Sequence, residues 1–99
     1  MIKVVYNNGF KNIKITGHAG YADLGKDVVC ACASGIILSS VNLAMEYNAN
    51  VKYTREVNKK EIINDSNDEN VEMVFKNMIV MLEDLQKQYP KNIKISKGE

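Results

Sequence analysis

Few side chains in this sequence can act as nucleophile or base near neutral pH, and they cluster. The only histidine and both cysteines lie in one stretch, Gly17-His18-Ala19-Gly20-Tyr21-Ala22-Asp23-Leu24-Gly25-Lys26-Asp27-Val28-Val29-Cys30-Ala31-Cys32-Ala33-Ser34. It opens as a glycine-containing loop and closes as the first turns of an apolar helix. Asp27 is the expected N-cap, because an aspartate side chain can accept a hydrogen bond from an otherwise unpaired first-turn amide. Cys30 is then the third helical residue, and its sulfur lies beside the partial positive charge of the helix N-terminus. That position favours the thiolate, the reactive form of cysteine. The Asp27 carboxylate works against it by adding negative charge nearby. The loop from His18 to Lys26 is read as mobile, able to fold back onto the helix end and to act as a lid. An activated thiol with a base in reach is the minimum set for nucleophilic catalysis.

Helix geometry separates the two cysteines. Ser34 lies four residues after Cys30 and shares its face, whereas Cys32 points well away from it. Cys30 is therefore the candidate nucleophile and Cys32 is read as core packing. Zinc is not expected, since structural sites use four ligands and these two cysteines face different ways. No cofactor is called for. Residue types alone leave Cys30 open to a plainer reading as a buried small hydrophobe, and His18 to one as a loop histidine at a strand end. Asp27 as N-cap could have no further role, or could orient His18 as the third member of a triad does. Ser34 could orient a catalytic group or pair with a carbonyl one turn back.

Composition bounds the function. Ninety-nine residues, 45% of them hydrophobic, suffice for one domain spanning 1–99 with a real core. Thirteen basic residues against twelve acidic ones give no strong field for direct nucleic-acid binding. Two cysteines so close in sequence cannot make a loop-closing disulfide framework, which favours a reducing compartment. The N-terminus lacks the apolar core of a signal peptide, and no uninterrupted apolar run is read as a membrane span. The expected location is the cytoplasm.

The elements that position the cluster follow from periodicity. Ile2, Val4 and Tyr6 alternate as in a half-buried strand, Asn8-Gly9 is a hairpin-turn pair, and Asn12 to Thr16 form the return strand. Gly17 ends that strand and delivers His18. Val28 to about Tyr47 is almost wholly apolar or small, so it reads as a buried helix, with its exit at Asn48 to Asn50. Val51, Tyr53, Arg55 and Val57 form a third strand, Asn58-Lys59 a turn, and Glu61 to Asn64 a fourth strand. Ser66-x-x-Glu69 is a possible capping box for a second helix, striped by Val71, Val74, Phe75, Met78, Leu82, Leu85 and Tyr89 and stopped by Pro90. Ile93 and Ile95 mark a last strand. The order β-β-α-β-β-α-β predicts an α+β fold, a mostly antiparallel sheet of about five strands with both helices packed on it.

Gly17-His18-Ala19, with Gly25-x-Asp27-Val28-Val29-Cys30-Ala31-x-Ala33-Ser34, resembles the signature of the ribosomal-processing cysteine protease family, Prp. The resemblance implies a Cys-His endopeptidase, with Cys30 as nucleophile and His18 as base and then acid. Asp27 and Ser34 match the motif as supporting residues, and Gly17 and Gly25 bound a loop along which a peptide would bind. The implied substrate is the N-terminal extension of bacterial large-subunit ribosomal protein twenty-seven, cut after an apolar, aromatic-rich site. The implied assembly is a homodimer. Amides at the start of the helix are expected to receive the oxyanion. Two other readings stand beside this one: a non-enzymatic ribosome-assembly or interaction module with an inert cysteine, and a thiol-dependent acyl transferase.

Overall fold

Two periodicities build the protein, and each leaves one apolar face to be covered. In the computed structural model, which describes residues 1–23 and 26–98, the strands are β1 (Ile2–Tyr6), β2 (Asn12–Thr16), β3 (Val51–Arg55), β4 (Lys59–Asn64) and β5 (Ile93–Lys97). The helices are α1 (Val28–Tyr47) and α2 (Glu69–Gln88). The sheet order is β3-β4-β2-β1-β5, antiparallel throughout except for the β1–β5 pair. The register sets Val4 beside Ile15 and Ile13 beside Ile62, so the apolar residues of alternate positions meet on one face. Ile2, Val4, Ile13, Ile15, Val51, Ile62 and Ile93 are all buried there. Both helices cover that face, and Lys3, Lys14, Lys52 and Lys94 on the other are exposed. The α+β architecture and element order match the sequence expectation.

The second helix buries Val71, Phe75, Met78, Ile79, Leu82 and Leu85, a stripe at helical spacing that packs against α1 and β5. Its cap differs from the expected one. Asp68, two residues after Ser66, is the N-cap and accepts from the Asn70 amide at 2.8 Å. Ser66 is instead buried, donating its hydroxyl to Asn64 Oδ1 at 2.5 Å. The first hairpin also closes differently, through a single 3-10 turn at Asn8–Phe10 rather than a two-residue turn. Asn7 Oδ1 holds it by accepting from the amides of Lys11 and Asn12. The β3–β4 turn comes earlier than expected, with Val57 at its tip 91% exposed and Lys59 already in β4.

The first helix spans the expected residues, but its burial is one-sided. Val29, Ala33, Ile37, Ser40, Val41 and Ala44 face the core, while Val28, Leu38, Leu43, Met45 and Tyr47 are exposed. Length and composition alone would let α1 cross a bilayer; here it packs on α2 and β3. Cys32, expected in the core, is exposed. Two residues along a helix turn a side chain about 200°, and the side opposite Cys30 is solvent.

Candidate active site

Three elements converge at one end of the sheet: the end of β2, the start of α1 and the β3–β4 turn. Gly17 closes β2 with φ of +83°, a backbone conformation that suits glycine, and the chain turns there to present His18. The Gly17 amide donates to the Asn58 carbonyl at 3.2 Å, which ties the β3–β4 turn to the residue before the histidine. His18 is exposed, and its Nε2 lies 2.7 Å from Asn58 Oδ1.

Asp27 is the N-cap of α1, as its position predicts, and it does more than cap. Its Oδ1 accepts from the amides of Val29 and Cys30, each at 3.0 Å. Its Oδ2 accepts from Tyr21 at 2.9 Å and Ala22 at 3.3 Å. These bonds, led by the one from the Cys30 amide, hold the carboxyl below its ordinary value of 3.8, against the opposing effect of burial. The carboxylate is committed to the backbone and makes no bond to His18 among the described residues, so the triad reading of Asp27 gives way to a structural one. The partner that histidine does have is Asn58. No local pattern marks it, because the contact spans forty residues of chain.

The same bonds revise the expected oxyanion site. The amides of Val29 and Cys30 are taken by the Asp27 side chain, and that of Ala31 by the Asp27 carbonyl. The amide aimed at the sulfur is that of Ala19, which donates to Cys30 Sγ at 3.3 Å. Ala19 is buried, and its carbonyl accepts from Asn92 Nδ2 at 3.0 Å. The Tyr21 ring packs edge-on against Tyr89, with centroids 5.3 Å apart. The described part of the loop expected to be mobile is therefore pinned at Ala19, Tyr21 and Ala22. Gly25, the second glycine expected to bound a peptide site, lies outside the described residues.

Cys30 is half-buried and free. It shares a pocket of about 200 Å³ with Gly17, His18, Ser34 and Asn58, floored by Ile2, Ile15, Ala33 and Ile37 and walled by Val57, Lys59 and Lys60. Drug-sized ligand sites run to about 300–1,000 Å³; this one has the scale of a single side chain. Ser34 is brought to Cys30 as the helical spacing predicts. Bonding to a carbonyl one turn back, one of the two readings of Ser34, is seen at Ser39 and Ser40, whose hydroxyls donate to the Ile36 carbonyl. Cys32 points out of this pocket to solvent, and no group of metal-ligating side chains gathers among the described residues.

An exposed imidazole and a half-buried thiol on one apolar-floored pocket, with a backbone amide on the sulfur, can carry out acyl transfer from a peptide. Comparison with known proteins agrees. The sequence profile of the family described as cysteine protease Prp matches residues 1–94. The chain is 26% identical over 89 residues to the ribosomal processing cysteine protease Prp of Staphylococcus aureus, covering 86% of this chain and 84% of that protein. It is 23% identical to the protein of the same name from Bacillus subtilis, covering 96% and 92%. The fold superposes with a TM-score of 0.85 on the S. aureus protease Prp in complex with a covalently linked product peptide, at 23% identity, covering 98% and 97% of the two chains. The match over nearly the whole length makes this chain a cysteine protease of the Prp family.

Proposed function

We propose that Cys30 and His18 form the catalytic dyad of an endopeptidase that removes the N-terminal extension of bacterial large-subunit ribosomal protein twenty-seven. The observation that carries the chemical reading is the convergence on one pocket of His18 and of a Cys30 sulfur that already accepts the Ala19 amide. A hydrogen bond donated to sulfur stabilises negative charge on it. His18 takes the Cys30 thiol proton, the thiolate attacks the scissile carbonyl carbon, and the C–N bond breaks as the amine takes that proton from His18. His18 then draws a proton from water, whose oxygen attacks the thioester and releases the new carboxylate and Cys30. The Ala19 amide lies where charge first resides, and once the sulfur bonds to the carbonyl carbon and the charge moves to the carbonyl oxygen, that amide is free to meet the neighbouring oxyanion. Asp27 and Ser34 support the site, Asp27 by tying the loop to the helix.

The S. aureus relative's covalently linked product peptide is consistent with an intermediate on sulfur. The apolar floor of Ile2, Ile15 and Ile37 suits an apolar or aromatic residue of the substrate. We infer that the protein works in the cytoplasm, where ribosomes are assembled, as a homodimer. The apolar side chains Leu43, Met73, Val80 and Met81, exposed on the outer faces of α1 and α2, favour a second copy as their cover.

Intact-mass analysis tests the assignment. A ribosomal protein twenty-seven carrying its extension, incubated with wild-type protein, should lose one N-terminal segment, and Cys30→Ala and His18→Ala should abolish the loss. Truncation by the Cys30→Ala variant would overturn the nucleophile. No truncation by wild type would overturn the substrate.

A further inference from the structure

Resting on the reading of His18 as base and Cys30 as nucleophile, we propose that Asn58 is a positioning residue. It selects the His18 tautomer whose Nδ1 exchanges the proton with Cys30. An amide oxygen can only accept a hydrogen bond, so Asn58 Oδ1, 2.7 Å from Nε2, requires the proton to sit on Nε2. In the neutral ring that leaves Nδ1 as the acceptor. The other tautomer would put a lone pair against the Asn58 oxygen and a proton where a base is needed.

The placement is built rather than incidental. Asn58 sits in the β3–β4 turn, and its own carbonyl accepts from the Gly17 amide at 3.2 Å. One residue thus grips the chain just before the histidine with its backbone and the imidazole with its side chain. The two bonds fix both ends of the side chain's reach, and they hold the ring over the pocket that Asn58, His18 and Cys30 share. Sets of a nucleophile, a histidine and a third group recur on unrelated protease folds, Cys-His-Asn among them, and the third group sets the imidazole's tautomer and orientation. The turn also carries Val57, and the start of β4 carries Lys59 and Lys60, into the pocket wall. A peptide seated there would touch the same turn that holds the base.

Because the protein has one histidine, the ring nitrogens of uniformly 15N-labelled protein give a single imidazole pattern. Long-range proton–nitrogen correlation at a pH where the ring is neutral should show the Nε2–H tautomer in wild type. Asn58→Ala keeps the backbone bond to Gly17 and should move the ring toward a tautomer mixture. It should also lower kcat roughly 2- to 10-fold, the reach of one net hydrogen bond, with KM unchanged. Asn58→Asp, which keeps an acceptor at the same atom, should restore the wild-type tautomer. An Nδ1–H tautomer in wild type, or wild-type tautomer populations in Asn58→Ala, would overturn the proposal. The wild-type spectrum alone decides the first point, so the proposal is testable even where a variant fails to fold. The spectra need no substrate, so they fail or succeed separately from the protease assignment, which stands or falls on Cys30→Ala.

Discussion

Substituting alanine at Gly17 and at Gly20 makes the same chemical change in two different surroundings. Both glycines have positive φ, +83° and +67°, where an L side chain costs about 1–2 kcal/mol. A Cβ on Gly20 would meet nothing within 4 Å, whereas one on Gly17 would press into the main-chain carbonyl of Met1, just before β1 begins. Backbone cannot swing aside as a side chain does, so Gly17→Ala adds an overpacking cost of about 1–3 kcal/mol. The expected losses are about 1–2 kcal/mol for Gly20→Ala and roughly 2–5 kcal/mol for Gly17→Ala. For a domain of this size each kcal/mol lowers Tm by roughly 4–8 °C. Thermal unfolding followed by circular dichroism should therefore separate the two variants clearly. Gly17→Ala should also slow cleavage more than its stability loss explains, because the shifted residue is the one that presents His18. Equal Tm losses for the two variants would refute the close-approach argument. A destabilised Gly17→Ala with wild-type activity at low temperature would refute the positional one.

Other perturbations read other parts of the structure. Iodoacetamide near neutral pH should alkylate half-buried Cys30 faster than exposed Cys32, and His18→Ala should slow only the former; faster labelling of Cys32 would mean that access, rather than activation, governs these thiols. Asp27 contributes stability through a carboxyl held below 3.8 in the folded state. That contribution is complete above the unfolded value and is lost as pH falls through 3.8 toward the lower folded value. The stability gap between wild type and Asp27→Asn, from denaturant midpoints between pH 7 and pH 2, should thus be widest at neutral pH and narrow in acid; a constant gap would contradict the amide bonds described. Phe75 is fully buried between the helices and the sheet, so Phe75→Ala should cost about 3–5 kcal/mol, and a loss under about 1 kcal/mol in urea unfolding would show that the core is not packed as described.

What was legible in the sequence was local. The α2 stripe, the Asp27 cap and the alternation of Ile2, Val4, Ile13 and Ile15 each depend on neighbours within a turn or a pleat, and the structure repeats them. The capping-box pattern places the cap of α2 at Ser66, two residues before the observed Asp68. The choice fell to Asp68 because Ser66 is drawn into a buried pair with Asn64. The facing of α1 was hidden for a different reason. A helix apolar on nearly every side carries little directional signal, so neither its exposed Leu38 and Leu43 nor the outward turn of Cys32 could be read from spacing. Asn58 and Asn92 reach the site from forty and seventy-three residues away, and only a three-dimensional fold brings them there.

The Asp27 carboxylate is the feature that a simple electrostatic argument would remove from beside a cysteine proposed to act as a nucleophile. Its charge sits at the helix end whose dipole should serve Cys30, and its Oδ1 takes the Cys30 amide itself. Two consequences offset that cost. Four amides already solvate the carboxylate, so the field that reaches the sulfur is that of a charge with its dipoles turned inward, weaker than a bare anion's. The same four bonds join loop residues Tyr21 and Ala22 to helix residues Val29 and Cys30, and so fix the loop against the helix that carries Cys30. Ala19, buried beside that junction and held from behind by Asn92, is thereby placed with its amide on the sulfur. The donor on the sulfur thus reaches Cys30 from the loop, while the helix's own first amides are spent on holding that loop in place.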